Sequence, residues 1–131
     1  MVFSAMSCAP EVHYFLRNTS SYDQKVIISL GSFFEEQKAT RLEIKYAPRV
    51  VKPGPRSHRK FKNELKPKYL NDRQLEVVLP GETTVCILAE NPGFFNVIFK
   101  QNGQTDTLYY NQIRRWHRNG KEGTSFYFDL N

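Results

Sequence analysis

The chain predicts an all-β fold, an antiparallel sandwich (Ig-like or jelly-roll-like) of about eight strands with one long basic loop. Three observations carry that expectation. Ten Phe and seven Tyr stand beside only two Met, a bias toward pleated, half-buried surfaces. Short apolar segments alternate with a period of two. Turn residues interrupt them at intervals of about 8–12 residues, the cadence of a sandwich or small barrel. A chain of 131 residues, 40% hydrophobic, is long enough for a single core. Residues 1–10 read as a tether or signal remnant. Residues 11–131 read as one β-sandwich domain, with a basic insertion at 48–68.

The first strand spans 11–17: Val12, Tyr14 and Leu16 share one face, His13 and Phe15 the other. Asn18-Thr19-Ser20-Ser21 supplies turn chemistry, and the β-branched run 25–30 is the expected hairpin partner. Asn18-Thr19-Ser20 also matches the N-glycosylation acceptor pattern. Residues 33–40 fit a helical turn or a strand with a loop. Leu42, Ile44 and Tyr46 alternate with Glu43 and Lys45, a strand wet on one side. Leu75, Val77 and Leu79 form the next strand, ended by Pro80-Gly81. Strands at 83–89 and 94–100 follow. Asn102-Gly103 is a two-residue hairpin signal feeding a strand at 105–113. Asn119-Gly120 is a second such signal, ahead of a final strand at 124–130. The last five strands read as a meander. Ile44, Leu75, Val77, Val85, Ile87, Val97, Phe99, Phe126 and Phe128 form the expected core.

Charge is concentrated where this periodicity fails. Between residues 49 and 68 lie Arg49, Lys52, Arg56, Arg59, Lys60, Lys62, Lys66 and Lys68, against one acid, Glu64. That is a net +7 inside a chain of net +6, so the rest of the molecule is slightly negative. The segment 48–67 also holds four of the seven prolines. Its composition predicts a long loop rather than a core strand. A localised basic surface fits an anionic partner: acidic lipid headgroups, an acidic protein or nucleic acid. Phe61 and Tyr69 are candidate stacking groups beside it. A second candidate interface is Arg114, Arg115, Trp116 and Arg118, where a Trp among arginines suits base stacking, a lipid interface or a protein contact. As a strand, it would place Arg115 and His117 on one face and Arg114, Trp116 and Arg118 on the other.

Catalytic signatures are missing. His13, His58 and His117 have no i,i+4 spacing, and no HExxH, GxSxG, P-loop or GxGxxG motif occurs. Two cysteines without a CxxC motif make no structural zinc site. The expectation is therefore a non-enzymatic protein with no cofactor and no metal. Cys86, in the apolar run Val85-Cys86-Ile87-Leu88, reads as a buried thiol in preference to a disulfide with Cys8.

Ala5-Met6-Ser7-Cys8, followed by the polar break Ala9-Pro10-Glu11, resembles the lipobox that ends a bacterial lipoprotein signal. Ala5 and Ser7 fit that pattern; Met6 is atypical. Only seven residues precede Cys8, and none is Lys or Arg, so the pattern needs a charged start upstream of Met1. The resemblance implies a small outer-membrane lipoprotein of the Bacteroidetes-like type. It would be lipidated at Cys8, located in the cell envelope, and serve as an accessory or binding subunit of a membrane-associated assembly with a protein partner. The alternative is a nucleic-acid-binding or virion-associated β module, cytoplasmic or in a virion, using the basic loop. A sugar-binding sandwich with a platform of Tyr109, Tyr110 and Trp116 is a third reading.

Overall fold

A computed structural model describes residues 13–30, 42–53, 61–88, 95–119 and 125–131. Among the described residues lie eleven strands and no helix. In chain order they are β1 (His13–Asn18), β2 (Gln24–Leu30), β3 (Glu43–Ala47), β4 (Asn63–Glu64), β5 (Lys68–Asn71), β6 (Gln74–Leu79), β7 (Thr83–Leu88), β8 (Phe95–Gln101), β9 (Gln104–Tyr109), β10 (His117–Asn119) and β11 (Ser125–Leu130). They form a six-stranded sheet, β10-β11-β1-β7-β3-β4, and a five-stranded sheet, β5-β6-β2-β8-β9. The pairings are antiparallel except for β1 with β11, which run parallel.

The main core lies between the two sheets. Leu16, Val85 and Leu130 of the larger sheet meet Ile28, Leu75, Val77, Val97 and Leu108 of the smaller one, all nearly dry. The expected core residues fall here, with Phe126 and Phe128 half-buried at its margin. Aromatic rings close one side. Tyr14 stands edge-on to Phe95 at 4.9 Å and to Trp116 at 5.1 Å, and Phe99 meets Phe128 at 5.4 Å. Such pairs add to the gain from burial alone.

The Asn102-Gly103 turn forms as its sequence dictates. Both residues have positive φ, 54° and 78°, and Gln101 pairs with Gln104 across it. This is the mirror-image turn whose twist suits two strands. At the second signal, Asn119 pairs with Ser125. Residues 120–124, which include Gly120 of that signal, lie outside the described residues.

Two expectations of connectivity are corrected. β1 and β2 are not a hairpin, because they belong to different sheets. Nor are the last strands a meander: β6 is in the smaller sheet, β7 in the larger, β8 and β9 in the smaller, and β10 and β11 in the larger. The strand count also exceeds expectation through short edge pieces, β4, β5 and β10. One of these, β4, lies in the segment expected to be loop and pairs with β3, while β5 follows directly after it and pairs with β6.

The β1–β2 crossing has a chemical cause in Asn18. Its side chain is fully buried. Its amide nitrogen donates to the carbonyls of Tyr22 (2.8 Å), Leu79 (3.0 Å) and Pro80 (3.1 Å). Its oxygen accepts from the Ser20 backbone N–H, the Ser20 hydroxyl and Gln24 Nε2. One amide thus fastens the β1–β2 corner to the end of β6. The corner also rests on the 81–82 turn, where Glu82 N–H donates to Ser20 O at 2.9 Å. A Cβ on Gly81 would lie 2.6 Å from the Ser21 carbonyl carbon and oxygen, so only glycine fits that approach. The match to a glycosylation acceptor is consequently not a usable one, since the amide nitrogen faces three carbonyls in the interior.

Asn18→Ala should cost about 2–4 kcal/mol, because it strips buried carbonyls of their donor. Urea denaturation measures this directly. A loss below about 1 kcal/mol would mean that water replaces the amide and the corner does not depend on it.

Candidate functional site

The middle of the outer face of the six-stranded sheet is not solvated. In β1 His13, Tyr14, Phe15 and Leu16 are buried in succession, and in β7 Thr83 through Ile87 are too. A strand dry on both faces needs a layer on each side. Over the middle of this sheet that layer comes from the basic segment. Phe61, 3% exposed, packs on Phe15 with ring centroids 5.5 Å apart, in a small buried cluster that includes Cys86. Ala47, Val51 and Tyr127 border this second small core.

Polar contacts fix the start of the segment. The Thr84 hydroxyl, itself buried, donates to Arg49 O and accepts from Val51 N–H, both at 3.0 Å. Arg17 donates to Val51 O at 3.3 Å. The same guanidinium forks onto Asp129, Nε to Oδ1 at 2.5 Å and Nη2 to Oδ2 at 2.8 Å, and lies 4.4 Å from the centre of the Tyr127 ring. The hydrogen bond to Asp129 raises the Arg17 pKa further, so it is charged throughout. At the far end of the segment, β4 joins β3 with Lys45 opposite Glu64.

These attachments use backbone atoms and apolar side chains. Arg49, Lys52, Lys62, Lys66 and Lys68 all point into water, and among the described residues none of them enters an ion pair. Arg56, Arg59 and Lys60 lie outside the described residues, as do Cys8, His58 and residues 33–40. Tyr69, the other candidate stacking group, is 48% exposed on β5. Phe61 is not a stacking group; its ring is used against the sheet. Thr84 and Arg17 were not legible as attachment points; the unbroken apolar run Val85-Cys86-Ile87-Leu88, read only as the place of a buried thiol, is the signal from which cover on both faces could have been found.

The second candidate interface divides. Trp116 is 5% exposed and packs between the sheets, so it is part of the core and not of a surface. Its indole N–H donates to Tyr109 O at 3.0 Å. Residues 113–115 form a turn, and the strand begins only at His117, so the expected division of 114–118 into two strand faces does not arise. Arg115 turns back onto β9, donating to Asp106 at 2.7 Å and to Thr107 O at 2.8 Å. That contact holds the Asp106 carboxyl below its usual pKa. Gln112 accepts from Tyr109 N–H. The turn therefore caps the free edge of β9, filling sites a further strand would use. Arg114 and Arg118 remain exposed. The sugar platform does not assemble, since Tyr109 is exposed, Tyr110 lies against Phe95 and Trp116 is buried.

No group of His, Cys, Asp or Glu suited to a metal occurs among the described residues. His13 is buried, while His117 stacks on Tyr127 at 5.0 Å. No helix among the described residues is long and apolar enough to cross a membrane. Comparison with protein-family models, with curated proteins and with solved structures finds no match.

Cys86 is a free, fully buried thiol, and burial pushes its pKa up to about 12 despite the nearby Lys45 charge. Native Cys86 should therefore alkylate at pH 8 about a thousandfold more slowly than an ordinary thiol, from thiolate population alone. It should react at the ordinary rate in denaturant. The folded thiol keeps its proton to higher pH than the unfolded one. This contribution to stability is thus complete below pH about 9 and is lost as pH rises toward about 12. Ready alkylation of the native protein would contradict the buried placement.

Proposed function

We propose that this protein is a non-enzymatic β-sandwich binding module of the cell envelope. It is lipid-anchored at Cys8, serves as an accessory subunit of a membrane-associated assembly, and sets its basic face on acidic lipid headgroups. The observation that carries this reading is the division of labour in the basic segment. Its backbone and Phe61 are fastened to the larger sheet, and its described cations stand free in water. A merely solubilising loop has no need of such fastening.

Position supports the same reading. β1 belongs to the sheet that carries the basic segment. Five residues of chain reach at most about 17 Å, so an anchor at Cys8 keeps His13, at the head of β1, near the headgroups. Each basic residue close to an anionic bilayer contributes about 1 kcal/mol. Exposed charges act only within about 8 Å at physiological salt, so a short tether is what makes the segment effective.

A nucleic-acid partner is the second reading. The observation favouring it is Tyr127, flanked on the same outer face by His117 and Arg17, an aromatic and cationic grouping of the kind that accepts bases.

Two experiments test the proposal. Replacing Arg56, Arg59, Lys60 and Lys62 by Gln should weaken binding to acidic vesicles by about tenfold or more, with stability changed by no more than about 0.5 kcal/mol. Binding that prefers single-stranded nucleic acid, with a steep salt slope, would support the second reading instead. Unchanged binding to both would reduce the segment to a solvated loop. Separately, protein expressed in a bacterium with its upstream start should fractionate with membranes, and Cys8→Ser should release it. Wild-type protein that stays soluble with an unmodified Cys8 would refute the anchor.

A further inference from the structure

The residues that hold the basic segment and those that would touch a partner are different. The attachments are Arg49 O, Val51 N and O, and the Phe61 ring. Phe61 is the largest of the apolar ones. It belongs to a small cluster with Phe15 and Cys86 that is distinct from the main core, so the core between the sheets does not include it. Docking the segment removes no described cation from water, since Arg49, Lys52 and Lys62 stay exposed beside these attachments. A charged chain held in place loses less conformational freedom on binding than one that must first be ordered.

We infer that Phe61 is the positioning residue of the anionic-contact face: seated on Phe15 in the cluster that holds Cys86, it fixes the described cations beside it, Arg49, Lys52 and Lys62, where they meet acidic lipid headgroups, so that docking of the segment and binding of the surface reinforce each other. This rests on the reading of the segment as the contact face. The coupling has a built-in reporter. Cys86, paired with Phe15 on the neighbouring strand, shares this cluster with Phe61 and has no exposed surface, and its alkylation rate follows the population in which the cluster is opened. Linkage then fixes the sign. A surface that binds the docked form must protect Cys86, and a surface that pulls the segment away must expose it.

The test uses the full chain and its Phe61→Ala and Phe61→Leu variants, with phosphatidylcholine vesicles containing phosphatidylglycerol. Alkylation is read at Cys86 by peptide mass spectrometry, which separates it from Cys8. Emission of the buried Trp116 reports whether the sandwich is intact. Phe61→Ala keeps all eight cations of the segment. It should nevertheless alkylate at Cys86 about tenfold faster or more and bind the vesicles about fivefold more weakly or worse. Phe61→Leu, which refills most of the site, should recover much of both. In the wild type, vesicles should slow alkylation of Cys86.

If Phe61→Ala opens Cys86 yet binds as the wild type does, the inference is overturned and the contact face stands. Vesicles that speed alkylation in the wild type overturn it too, by showing that binding lifts the segment. If Phe61→Ala fails to fold, the wild-type alkylation with and without vesicles decides alone. A wild type that ignores acidic vesicles removes the contact face itself, and the inference with it.

Discussion

Phe15 and Leu16 are neighbours on one strand, point to opposite faces, and are both dry. That double burial is the constraint on which the rest of the molecule depends. Leu16 faces the smaller sheet and the main core. Phe15 faces away from it and must find cover elsewhere, which Phe61 supplies. β1 is also the strand on which the larger sheet turns, parallel to β11 on one side and antiparallel to β7 on the other. Its last residue, Asn18, ties the corner to the smaller sheet. Sheet, core, cover and corner therefore meet in six residues. A burial ledger confined to the space between the sheets would omit the reason why a proline-rich, highly charged segment is held at all.

Much of this was legible in the residues. Alternation in 75–79 and the Asn102-Gly103 dipeptide identified their elements directly, because period and turn geometry are local properties. Connectivity was less legible. Nothing in the sequence of 18–23 distinguishes a hairpin from a corner, since Asn and Ser suit both. The distinction is made by carbonyls of Leu79 and Pro80, about sixty residues away in the chain. Trp116 reads locally as one aromatic among four basic residues. Its burial follows from Tyr14 and Phe95, which only the folded sheets bring to it. Phe61 shows the same limit. Amid Arg59, Lys60 and Lys62 it suggests a surface group, and only the apolar outer faces of β1 and β7, at Phe15 and Cys86, give it a place inside.

The site divides along the same line. Which residues carry charge is a matter of composition, so the basic cluster was evident at once. How they are presented depends on Thr84 and Arg17, ordinary strand residues whose partners are backbone atoms of the segment. Arg17 is held by Asp129 in a two-point fork, a geometry that fixes direction as well as charge. Its remaining contacts, to Val51 O and the Tyr127 ring, then come at little additional ordering cost.

The sheet edges narrow how a partner can engage. Edge strands invite pairing with other chains unless they are blunted. Here each described edge is. Arg115, Gln112 and Trp116 bond to the backbone of β9. β5 is short, shifted in register after Tyr69, and carries Lys68. β4 and β10 have two and three residues. A partner gains little from the backbone ladders and must be met by side chains. The largest set of unpaired charged side chains among the described residues is the one on the basic segment. Contact of that kind is graded by charge density and salt rather than by a fitted pocket. On the proposed reading it meets an extended acidic surface rather than a small ligand, and the attachments hold backbone still while the described cations beside them stay in water.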